Sequence, residues 1–122
     1  MEEIKLGVVE ARFADIVWQN APISTKELVK LCERDLDWKR TTTYTVLKKL
    51  CDRGIFKTEE SIVSVIMSKS EFGAIRSERF VDSEFAGSLP SFIAAFTSRK
   101  RPTEKELAEI RRMLDDFEKE QK

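Results

Sequence analysis

Histidine is absent from this chain of 122 residues. That removes the commonest general base and the commonest metal ligand at the outset. Cysteine occurs twice, at Cys32 and Cys51, and two isolated thiols do not build a zinc site unaided. Glycine occurs four times and nowhere forms a phosphate-cradling loop. No catalytic constellation, metal site or cofactor site can be assembled from what remains, so an enzyme is not expected. Long apolar runs are also missing. Nothing approaches the roughly 18 consecutive apolar residues of a membrane span, so no membrane partner is expected. Met1-Glu2-Glu3 is acidic and no apolar stretch follows it, which argues against a signal peptide and for a cytoplasmic setting. There the two cysteines, each on an apolar stripe, read as buried thiols; the alternative is a redox pair, which needs Cα atoms within about 7 Å. Finally, neither charge is in excess, with 22 basic and 22 acidic side chains. Such balance opposes indiscriminate polyanion binding but permits a local basic surface.

One stretch shows where that surface lies. From Lys39 to Gly54 the sequence has helical spacing and two different faces. Thr43, Val46, Leu47, Leu50 and Cys51 recur as one apolar stripe. Thr41, Thr42, Tyr44, Thr45, Lys48 and Lys49 occupy the other side, whose only acid is the terminal Asp52. Threonine is a mediocre helix former, because its branched Cβ restricts χ1, so four threonines in five positions suit a merely solvated face poorly. Hydroxyls and ammonium groups donate to phosphate oxygens and base edges, where carboxylates would be repelled. Gly54 supplies the left-handed residue that ends such a helix. The stretch reads as a recognition helix. Thr42, Tyr44, Thr45 and Lys48 are its candidates for base contact. Lys39, Arg40, Thr41, Lys49 and the later Lys57 are its candidates for phosphate contact.

The flanking sequence supplies the context. Leu6 to Trp18 reads as a first helix, ended by Asn20-Ala21-Pro22. Ser24-Thr25-Lys26-Glu27 is a capping box opening a second helix through about Arg34. Asp35-Leu36-Asp37-Trp38 then forms the turn before the recognition helix, with Leu36 and Trp38 pinning it. Three helices with a short connection between the second and third fit a helix-turn-helix. After Gly54 the period changes: Ile55 to Thr58 and Ile62 to Met67 read as two strands joined at Glu59-Glu60-Ser61, the hairpin of a wing. The tip carboxylates should be repelled by phosphate, leaving Lys57 as the wing's contact candidate.

From Ser70, read as a cap, the chain is helical again to Phe85. Gly87-Ser88-Leu89-Pro90 reads as a break, Ser91 to Thr97 as a short helix, and Thr103-Glu104-Lys105-Glu106 as a capping box before a last helix. Phe72, Ile75, Phe85, Phe92, Ile93, Phe96, Leu107, Ile110, Leu114 and Phe117 make this tail too apolar to hide against a small domain. They are expected to form a homodimer interface, since large exposed apolar patches mark interaction surfaces; an intramolecular helical subdomain is the alternative. Arg99-Lys100-Arg101 reads as a solvated loop, or as a phosphate contact if the tail turns towards a duplex. The expected fold is mainly α with a small β-hairpin: a winged helix-turn-helix domain over residues 1–69 and a helical dimerisation region over residues 70–122. Two functions compete. One is a dimeric transcriptional repressor on double-stranded DNA; the other is a winged helix used as a protein-interaction module without specific DNA binding.

With these residues in view, the chain resembles the penicillinase-repressor family of bacterial transcriptional regulators, from about Leu6 to Lys119. Ile16-Val17-Trp18 matches the end of that family's first helix, and Ile23 to Leu28 its linker and second helix. The family's Trp-x-x-x-Thr-x-x-Thr-x-Leu-x-Arg-Leu pattern is met by Trp38, Thr42, Thr45, Leu47 and Leu50, with Lys49 in place of the arginine. Gly54-Ile55-Phe56-Lys57 matches the start of its wing. The resemblance implies a homodimer on a palindromic operator and derepression by a sensor-linked protease that cuts in the dimerisation region. The matching bond is Ala95-Phe96, where Ala95 stands in place of the asparagine of the penicillinase repressors. The cysteine-rich C-terminal motif of the copper-responsive relatives has no counterpart here.

Overall fold

The computed structural model describes residues 6–121; the acidic start Met1-Glu2-Glu3, which bears on the signal peptide, and Lys122 lie outside them. Two compact units divide the chain, the first ending at Arg79 and the second beginning at Phe80.

The first unit opens with helix α1 (Val8–Asn20), which turns Phe13, Ala14 and Val17 inward. Ala21, extended before Pro22, stops it. Ser24 then serves twice. Its hydroxyl accepts from the Glu27 N–H at 3.1 Å and opens α2 (Thr25–Leu36). With Ile23 it also forms a short strand, β1 (Ile23–Ser24). No periodicity can announce a strand of two residues, and the sequence pattern shows only a hairpin here. α2 runs on to Leu36 and stops where Asp37 takes a left-handed φ of 56°. Trp38 stacks on Phe13 with ring centroids 5.5 Å apart, which fixes the connection into α3 (Arg40–Asp52).

The end of α3 is a Schellman motif. Gly54, at φ 81°, donates to the Cys51 carbonyl at 3.0 Å, and Ile55 donates to the Leu50 carbonyl at 3.1 Å. Ile55 and Leu50 are both buried, the apolar contact that accompanies this motif. The wing follows as β2 (Phe56–Glu59) and β3 (Ile62–Val65), paired antiparallel with Glu59 opposite Ile62. Glu60 and Ser61 form the turn with φ of 50° and 63°, the handedness that matches strand twist. β3 is shorter than the apolar run to Met67, because the Ile66 and Met67 N–H groups both donate to the Ile55 carbonyl at 3.0 Å. β1 pairs with the other edge of β3, giving a sheet of order β1-β3-β2.

These elements share one core: Phe13, Val17, Leu28, Cys32, Leu47, Leu50, Ile55, Phe56 and Val63 are buried together, with Phe72. Trp18 closes it. Its indole N–H donates to the Met67 carbonyl at 3.0 Å, and its ring lies 5.7 Å from both Phe56 and Phe72. Phe72, expected from the sequence at a dimer surface, is therefore 4% exposed inside the first unit. Helix α4 (Lys69–Phe85) is capped by Ser68, whose hydroxyl accepts from the Glu71 N–H at 3.0 Å, and not by Ser70.

In the second unit Phe80, Phe85, Phe92 and Phe96 form a chain of ring contacts 5.6 to 6.2 Å apart. The break falls at Ala86 and Gly87, with φ of 50° and 78°. Leu89-Pro90, expected within that break, instead opens α5 (Leu89–Arg99) behind the Ser88 cap, since proline suits a first helical turn. The capping box before α6 (Glu104–Glu120) forms in both arms, at 2.9 and 3.1 Å. The Thr103 backbone N–H and hydroxyl hold the Glu106 carboxyl below its usual range. No residue of α5 or α6 is buried. Among the described residues no helix is long and apolar enough to cross a membrane.

Candidate nucleic-acid interface

Helix α3 divides as its spacing requires. Thr43, Leu47 and Leu50 are buried, where α3 packs on α2 and β2, with Val46 and Cys51 half-buried beside them. The burial of Leu47 and Leu50 sets the rotation of the helix, and rotation decides which residues face outward. Thr41, Thr42, Tyr44, Thr45, Lys48 and Lys49 are all exposed, as are Lys39 and Arg40 at its start and Lys57 on β2. One face of one helix thus carries the base-contact candidates, and the wing adds a cation from a separate element.

The hydroxyls on this face are not equivalent. Thr45 Oγ1 donates to the Thr41 carbonyl at 2.9 Å, so its proton is used within the helix and its methyl and lone pairs remain for a ligand. Thr43, on the inner face, points its hydroxyl back to the Lys39 carbonyl at 3.5 Å, and burial pushes the Cys32 thiol in the same core above its ordinary range. Tyr44 lies beneath the Arg40 guanidinium, 5.5 Å from ring centroid to Cζ. Hydrogen bonding with the Thr25 side chain, and secondarily Arg40, holds its hydroxyl below the usual phenol range. Thr25 is the first residue of α2. Nothing in the sequence pattern points to Thr25 as an influence on Tyr44.

Several cations have carboxylate partners. Lys48 Nζ lies 3.2 Å from Asp52, an exposed i,i+4 pair of small energetic weight. Lys57 lies 3.7 Å from Glu59. Lys49 is different, since its partner Glu10 comes from α1 at 3.3 Å and also approaches Arg53 at 3.7 Å. The structure thereby gives Lys49, a phosphate candidate by sequence, an intramolecular counter-charge. Glu10 lies far back in the chain and has no spacing relation to α3, so no periodicity could signal the pairing.

The tail candidates are arranged otherwise. Ile75 is half-buried in the first unit, and Phe85 and Phe92 are half-buried in the second. Ile93, Phe96, Leu107, Ile110, Leu114 and Phe117 keep 38% to 54% of their surface exposed, and Met113, which is not among the sequence candidates, joins them at 52%. Ala95 and Phe96 are exposed within α5, where Thr97 and Ser98 hydroxyls donate back to the Ile93 and Ala95 carbonyls at 2.7 Å.

Comparison with known proteins adds two findings. A sequence profile described as penicillinase repressor matches residues 6–116. The methicillin resistance regulatory protein MecI of Staphylococcus aureus is 20% identical over 115 residues, covering 91% of this chain and 94% of that protein.

Proposed function

The chain belongs to the penicillinase repressor family, whose members are DNA-binding transcriptional regulators and not enzymes, and from that premise we propose that it works as a homodimer on a palindromic operator. The observation that carries the reading is the rotation of α3. Its apolar face is consumed by the core, while Thr42, Tyr44, Thr45 and Lys48 stand exposed in one row of turns. A helix of this kind fits the major groove, where side chains meet base edges. In the proposal Lys39, Arg40 and Thr41 at its start and Lys57 on the wing hold phosphates. Lys49, occupied by Glu10, falls outside the contact set. Repression is steric: the bound dimer excludes polymerase from the promoter.

The dimer is proposed to form through the second unit, whose large side chains at Ile93, Phe96, Leu107, Ile110, Leu114 and Phe117 are only half covered in a single chain. A twofold axis through them presents two recognition helices to half-sites about one DNA turn apart. Release is proposed to follow cutting by a sensor-linked protease at Ala95-Phe96. That bond lies inside α5, and because the helix keeps its carbonyls occupied, local unwinding must precede cleavage.

Titration of a duplex with wild-type chain and with Lys48→Ala at two salt concentrations tests the DNA reading. Wild-type affinity falls as salt rises, and the variant binds its operator more weakly while remaining dimeric. Salt-independent binding, or equal affinity of the variant, contradicts it. The exposed Glu59 and Glu60 at the wing tip are what favours the protein-interaction module, and salt-independent behaviour is the outcome that module predicts.

A further inference from the structure

Glu10 reaches from α1 to two cations at the end of α3. Its side chain is 23% exposed, and it lies 3.3 Å from Lys49 Nζ and 3.7 Å from Arg53 Nη1. Its Oε2 is buried without a hydrogen-bond partner, so charge is what holds that oxygen in place. An exposed surface pair fluctuates and is screened by salt, whereas a partly buried one is screened much less.

We propose that Glu10 is a specificity-determining residue that neutralises Lys49 and so withholds it from the phosphates of arbitrary DNA sequence. The inference rests on the DNA-binding reading above. Phosphate contacts raise affinity for every sequence alike, while base contacts raise it for one. What a repressor needs is the ratio between the two, because non-specific duplex is in vast excess. Without Glu10, the last turns of α3 would add the charge of Lys49 to that of the nearby Lys57. Both would bind phosphate regardless of sequence. With Glu10 in place, sequence-blind binding is left to the start of the helix and to Lys57 on the wing, and the exposed base-reading row supplies a larger share of the total. The balance of 22 basic and 22 acidic side chains is thus matched by a local balance at the binding face.

The test uses the full chain as wild type, Glu10→Gln, Glu10→Asp and Lys49→Gln. Each is titrated against a random-sequence duplex and a selected operator over a salt series. Glu10→Gln should bind random duplex about eightfold more tightly at 0.1 M salt for each additional phosphate it engages, and each should steepen the log–log salt slope by about 0.9. Operator affinity should rise by less than that, so the specificity ratio falls. Glu10→Asp keeps the charge and should keep the wild-type slope. Lys49→Gln should leave the random-duplex slope unchanged, and this arm does not depend on the packing of Glu10. An unchanged slope in Glu10→Gln, or a shallower one in Lys49→Gln, overturns the proposal. Wild-type binding with no salt dependence would instead overturn the DNA reading beneath it.

Discussion

Phe117 offers a direct measure of what the second unit does. It retains 52% of its surface in the single chain, on a helix with no buried residue. A phenylalanine presents roughly 200 Å² to water when unpacked, so about 100 Å² remains to be covered. At about 25 cal/mol per Å², full covering contributes ~2.5 kcal/mol per copy. In a twofold dimer each change occurs twice. If an interface covers half of that remaining surface, Phe117→Ser weakens the dimer by about 2.5 kcal/mol in all, or roughly 70-fold in its dissociation constant. Sedimentation equilibrium over a concentration series reads this quantity. Both tryptophans, Trp18 and Trp38, pack within the first unit. Their fluorescence therefore reports whether the winged helix has survived the substitution. Leu114→Ser, at 54% exposure, should act in the same direction. Unchanged association in both variants, with intact fluorescence, would refute the assignment of this face to a dimer.

Other outcomes follow from the same structure. Lys48→Ala should lower operator affinity by roughly 1–3 kcal/mol, as loss of a base contact does, and leave association unaltered; a fluorescence-anisotropy titration decides it. Gly54→Ala forces a β-carbon into a backbone at φ 81° where nothing lies within 4 Å, so conformational strain alone should lower stability, by about 1 kcal/mol in a denaturant melt. Thr103→Ala removes one arm of the α6 capping box and should cost about 1 kcal/mol of helix stability, seen as lost ellipticity on heating. Cys32 keeps its proton more tightly folded than unfolded, because burial raises its pKa above the ordinary thiol value. The unfolded chain then releases that proton first as pH rises. This contribution to stability is therefore complete below the unfolded thiol's pKa of about 8.5 and is lost as pH climbs through the higher folded value. Cys32→Ala should flatten the alkaline fall in melting temperature, and an equally steep fall in the variant would count against the assignment.

What was legible in the sequence was what periodicity encodes. The two faces of α3, the wing and the Gly54 stop each follow from residues adjacent on one element, and the structure reproduces all of them. Strand β1 was hidden because two residues carry no period. The fate of Phe72 was hidden for another reason. On α4 it has the same spacing as the tail residues, and only the placement of Trp18, distant in sequence, draws it into the first core. Glu10 shows the same limit at the binding face. Its partners lie 39 residues or more away, and a pair across that distance is set by packing. Single elements are written locally, while contacts between them require the fold.

In the proposed complex the outward row of α3 reads base edges in symmetric pairs. Selection of bound duplexes from a random pool, using the intact chain, tests this most directly. The expected result is an enriched palindrome whose half-sites are centred about 10 base pairs apart, with loss of enrichment at one position per half-site when Lys48→Ala replaces the wild type. A pool that stays random after selection, or an enriched motif without twofold symmetry, would contradict it.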